Sequence, residues 1–114
     1  MAKVEHFEIP ADDLPRAQTF YREVLGFTYE PWGEDSGLLR SPDAAGISGD
    51  LHQRGPTPHP TVVFTVDRLE DTIEAAVAHG GELLGSIEPL GENARWAYLR
   101  DTEGNVIGIY DEQE

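Results

Sequence analysis

The chain has 114 residues, enough for about one average domain with a single modest core, and its 39% hydrophobic content fits an ordinary globular protein. Its 22 acidic and 8 basic residues give a formal net charge of −14, which repels phosphate backbones and anionic lipid and so argues against nucleic-acid and membrane partners. Cysteine is absent, excluding disulfides, thiolate metal sites and cysteine nucleophiles. The opening "MAKVEHFEIP" is no apolar leader and no run of 18 apolar residues occurs, so the expected location is the cytoplasm.

Val4 to Ile9 alternates loosely and reads as a strand that Pro10 stops. Asp12 or Asp13 then caps a helix whose first turn tolerates Pro15, because early helical N–H groups have no intrahelical acceptor. Leu14, Ala17, Phe20 or Tyr21, and Val24 recur at helical spacing, and Gly26 supplies the stop. Short strands follow at Phe27 to Pro31, Ser36 to Arg40 and Gly46 to His52, separated by the turn-like "GED" and "SPDAAG". "QRGPTPHP", from Gln53 to Pro60, is the one strong linker signal.

The second half repeats this order. "TVVFTVD" is the clearest strand, and Asp67 with Glu70 predicts a capping box for a helix from Leu69 to His79, with Leu69, Ile73 and Ala76 or Val77 on one face. Gly80-Gly81 ends it. "ELLGSIEPL", "ARWAYLR" and "NVIGIYD" read as strands, with "DTEGN" a tight turn between the last two. Asp12 to Gly26 spans as many positions as Asp67 to Gly81, and "LR" recurs at Leu39-Arg40 and Leu99-Arg100. We therefore expect one α+β domain, 1–114, made of two βαβββ repeats at about 1–54 and 59–114, with two sheets around a shared space and each helix outside. The repeat also serves as a ruler: His6 maps onto Thr61, and aligning "GISGDL" with "NVIGIY" pairs Gly49 with Gly108.

Several side chains carry chemistry. His6 and Glu8 share strand parity, so they face the same way, and a histidine titrating near neutral pH suits ligand binding or proton shuttling. Trp96 and Tyr98 share one face of their strand. Small Ala97 beside long Leu99 suits the helix side, which sends the two aromatics toward a cavity where they stack on flat or hydrophobic ligands. Trp32, in the polar turn "PWGEDS", is placed to cover a cavity mouth or a subunit contact, while Phe20 and Tyr21 are assigned to the core. Arg54, Arg95 and Arg100 read as isolated. Ser48 lacks a nucleophile elbow, and "GGELLG" lacks the lysine and glycine spacing of a phosphate loop.

"HFEIPADDLPRAQTFYREVLGF", "VVFTVDRLEDTIEAAVAHGGELL" and the ending "YLRDTEGNVIGIY" resemble the vicinal oxygen chelate superfamily of glyoxalases, bleomycin-resistance proteins and extradiol dioxygenases. The resemblance covers nearly the whole chain and implies a glyoxalase/bleomycin-resistance-like open barrel, with small members pairing into homodimers. Metal-dependent members hold a divalent ion with one residue on the first and one on the last strand of each repeat. Those positions fall on His6, Gly49, Thr61 and Gly108, so one of four ligands is in register. A different set, His6, Asp50, His52 and His59, has suitable donor chemistry but needs a register shift and a ligand from the proline-rich connection. The expectation is metal-independent binding of a small organic molecule, without cofactor, by Trp32, Trp96 and Tyr98 with His6 and Glu8 as polar anchor. The alternatives are a divalent-metal lyase, isomerase or dioxygenase with an altered ligand set, and a catalytically silent dimeric structural protein.

Overall fold

The structure is a computed structural model that describes residues 2–113. Among them run β1 (Lys3–Ala11), α1 (Leu14–Leu25), β2 (Thr28–Pro31), β3 (Ser36–Arg40), β4 (Gly49–Gln53), β5 (Thr61–Thr65), α2 (Leu69–Ala78), β6 (Glu82–Leu90), β7 (Ala94–Arg100) and β8 (Val106–Glu112). This is the α+β βαβββ order twice over. The chain divides into two compact units, an N-terminal unit of His6–Thr61 and a C-terminal unit in which residues up to Glu5 join those from Val62 onward.

In the N-terminal unit the strands run β2-β3-β4-β1. The β1–β4 pair is parallel, with Glu8 beside Asp50 and Ile9 beside Leu51, and the β2–β3 and β3–β4 pairs are antiparallel. Asp13 caps α1 by accepting the Arg16 N–H at 3.0 Å, and Pro15 sits in the first turn. Leu14, Ala17 and Tyr21 pack with Phe7, Ile9, Ala11, Leu39 and Leu51. Phe20 departs from the core assignment: it is 53% exposed and meets Tyr21 only edge-on at 5.3 Å. At 100° per residue, Leu14, Ala17 and Tyr21 fall within about 60° of arc, and Phe20 and the exposed Val24 lie outside it. β4 begins at Gly49 rather than Gly46 because Gly46 is drawn into a turn, donating its N–H to the Asp43 carbonyl at 2.8 Å.

The C-terminal unit repeats the plan, with order β5-β8-β7-β6, a parallel β5–β8 pair and antiparallel β8–β7 and β7–β6 pairs. Leu69, Ile73 and Ala76 of α2 pack with Ala97, Leu99, Ile107 and Ile109, while Val77 is exposed. The capping box does not form: the N-cap residue is Arg68, with no side-chain cap. The Leu69 N–H instead donates at 2.9 Å to Asp111, a buried carboxylate of β8. Arg95 is not isolated either, since its guanidinium binds Asp111 at 2.6 Å and grips Glu70 at 2.6 and 2.8 Å. This network ties the first turn of α2 to β7 and β8. No helix among the described residues is long and apolar enough to cross a membrane.

Candidate functional site

Each helix covers one face of its unit's sheet, and the candidate residues on the strands lie on the other. In the N-terminal unit Phe7, Ile9 and Ala11 pack with α1, which turns His6 and Glu8 to the helix-free face. On β4 the same alternation sends Leu51 to the core and Asp50 and His52 to the face of His6 and Glu8. His52 Nδ1 lies 3.0 Å from Asp50 Oδ1, and the two side chains are only 24% and 16% exposed. The Asp50 carboxylate can only accept, so Nδ1–H is the donor of this bond. In register they are flanked by Glu8 and Pro10 of β1 and by Leu38 and Ser36 of β3.

This register corrects the internal alignment of the repeats. Glu8 pairs with Asp50, and Val63, 55 positions after Glu8, pairs with Gly108. The structural counterpart of Gly108 is therefore Asp50, not Gly49. Gly49 faces α1, where a Cβ would lie 2.3 Å from the Phe7 carbonyl oxygen and 2.4 Å from its ring. The alignment on glycines failed because the two glycines answer different close approaches, one to Phe7 and one to Val63, where a Cβ on Gly108 would come to 2.9 Å of a methyl.

The four strand positions that hold a divalent ion in metal-dependent members are thus His6, Asp50, Thr61 and Gly108. Two carry suitable donors. Thr61 is a buried hydroxyl and Gly108 has no side chain, so the set does not fit the ion. His59 sits outside the strands, its Nδ1 at 3.3 Å from the Pro60 carbonyl. Among the described residues no three histidine, cysteine or acidic groups gather as a metal cluster.

The C-terminal unit supplies the aromatic side chains. Ala97 and Leu99 are buried against α2, as their sizes suggested, so Trp96 and Tyr98 take the helix-free face, packed edge to face at 5.1 Å. Tyr110 stands beside Trp96 in register and donates its hydroxyl to Glu112 at 2.8 Å. Burial, then the Glu112 hydrogen bond and the charges of Glu112 and Glu5, push this phenol up to about 12. Thr65, beside Tyr110, donates to Glu5 at 2.7 Å. Tyr110 and Glu112 were not among the candidates read from sequence, although their even parity with Gly108 and Val106 on the closing strand is the signal that finds them. Trp32 lies in the β2–β3 turn, its backbone N–H donating to the Ser36 carbonyl at 3.0 Å and the residue 63% exposed, on the same unit as His6 and Glu8.

A family model described as the Glyoxalase/Bleomycin resistance protein/Dioxygenase superfamily matches residues 3–109. A glyoxylase-like domain-containing protein of Didymella fabae is 26% identical over 117 residues, covering 94% of this chain and 91% of that protein. Among solved structures, a hypothetical protein of Bacillus halodurans superposes with a TM-score of 0.73 at 15% identity, over 99% of this chain and 96% of the other. The methylmalonyl-CoA epimerase of Mycobacterium tuberculosis gives 0.69 at 17% identity, over 97% and 88%. These structural likenesses speak for the fold. With the family match spanning nearly all of the sequence, the chain belongs to the Glyoxalase/Bleomycin resistance protein/Dioxygenase superfamily.

Proposed function

We propose that this protein binds a small, partly aromatic organic molecule without a resident metal. The observation that carries the reading is the division of labour on β7. Ala97 and Leu99 close the core against α2, while the half-buried pair Trp96 and Tyr98 stands on the face that α2 leaves open. Aromatic rings there give contact area at little entropic cost, and they need no ion to do so. The N-terminal unit offers hydrogen-bonding groups on its own helix-free face: His6, Glu8 and the Asp50–His52 pair. The absence of a metal from the reading rests on the donor set, because Thr61 and Gly108 stand where two ligands are needed.

Two measurements test it. Titration with a panel of neutral aromatic compounds should quench tryptophan fluorescence saturably, and Trp96→Phe should remove the response although Trp32 remains. Metal analysis of protein purified without chelator should find far less than one ion per chain. A stoichiometric ion that disappears in His6→Ala would overturn the metal-free reading in favour of a metal enzyme with an altered ligand set. A silent panel would overturn small-molecule binding and leave the structural role.

A further inference from the structure

We propose that the helix-free face of the C-terminal unit selects a compact organic cation of the quaternary or tertiary ammonium class, an inference that rests on the small-molecule reading above. Strand register sets its residues in two rows. One row runs Thr65, Tyr110, Trp96 and Glu88 across β5, β8, β7 and β6, and the next runs Val63, Gly108, Tyr98 and Leu84. The Val63 side chain leans over Gly108, a methyl 2.9 Å from where a Cβ would stand, and the register sets Trp96, Tyr98 and Tyr110 on the positions next to them.

Carboxylates border these rings. Glu5 is held by the Thr65 hydroxyl at 2.7 Å, Glu112 by the Tyr110 hydroxyl at 2.8 Å and Glu88 by the Ser86 hydroxyl at 2.8 Å. Each of these bonds fixes a carboxylate beside the aromatic rows. Burial is the first cause of the rise of the Tyr110 phenol, and the Glu112 hydrogen bond and the charges of Glu112 and Glu5 add to it. One cationic side chain shares strand parity with this face, Arg100, which is paired with Glu82, and Lys3 lies two positions before Glu5 on β1. The unit as a whole holds thirteen acidic against four basic residues, the more acidic of the two.

An anion brought here would meet the negative faces of three rings and three carboxylates. A cation is attracted by both, tryptophan being the strongest ring partner for it. A quaternary or tertiary ammonium fits better than a metal ion because the rings offer faces rather than lone pairs, and its methyl groups pack on them. It fits better than a neutral isostere because only the charge engages the carboxylates.

Calorimetric titration with choline and with 3,3-dimethylbutan-1-ol, which replaces its nitrogen by carbon, tests the proposal. Choline should bind about tenfold more tightly at low ionic strength, in line with a desolvated cation–π contact. Trp96→Leu should weaken both ligands. The double variant Glu5→Gln/Glu112→Gln keeps an acceptor for each hydroxyl and should lower choline affinity without changing that of the alcohol. Equal or tighter binding of the alcohol would overturn the cation proposal while leaving a small-molecule site. Failure of choline while neutral aromatics still quench Trp96 would do the same, and silence from every compound would overturn both readings.

Discussion

Asp111 is buried to 1% exposure, yet it keeps its charge because the first turn of α2 and Arg95 both need it. Burial pushes its carboxyl upward, but the Arg95 hydrogen bonds, the Leu69 N–H and the Arg95 charge outweigh that and hold it below the usual range. Arg95 brings Glu70 down to about 2 by the same contact. Asp111→Ala leaves the Leu69 N–H unpaired in the core and should cost about 3 kcal/mol in urea unfolding. Both folded-state values are depressed, so the stability they confer is present above the ordinary carboxylate range and is lost as pH falls through it toward about 2. The stability gap between wild type and Arg95→Ala should therefore be widest above pH ~5 and shrink toward pH ~2; a gap constant over that window would sink the assignment. The two glycines give a second contrast. Gly49→Ala drives a Cβ into the Phe7 backbone and should cost about 2–3 kcal/mol, whereas Gly108→Ala meets the Val63 side chain and no backbone atom and should cost less than that.

The two helices occupy equivalent places in their repeats but are started by different means. α1 carries its own cap in Asp13, so Asp13→Ala should lower stability by about 1 kcal/mol, read from the urea midpoint. α2 borrows its cap from β8, 42 positions further along the chain. Local sequence pointed to the first cap and misled on the second, since Asp67 and Glu70 have capping-box spacing while Glu70 is taken by Arg95. The buried arc of α1 is narrower than its apolar content suggests. Phe20→Ala should therefore change stability by less than about 1 kcal/mol, against 2 or more for Leu14→Ala in the core.

On the scale of the whole molecule, 22 acidic residues against 8 basic ones make self-repulsion a standing cost, which salt screens over a Debye length of about 10 Å at 0.1 M. The melting temperature should rise between low salt and ~0.5 M sodium chloride, and a fall over that range would show that ion pairs such as Arg95–Asp111 dominate instead. Element order, the repeat, a cap for α1 at Asp12 or Asp13 and the opposite facing of Ala97 and Trp96 were legible in the sequence. Helix and strand periodicities and end signals are local, and a repeat states them twice. Strand register, the partner of Arg95 and the face of Asp50 were decided only by tertiary structure. A one-residue shift in parallel pairing reverses every side chain on a strand, and no local residue records which neighbour across the sheet will fix that shift. His6 and Glu8 could be assigned a common face from parity alone, but that Asp50 and His52 join them there follows from the pairing of β1 with β4.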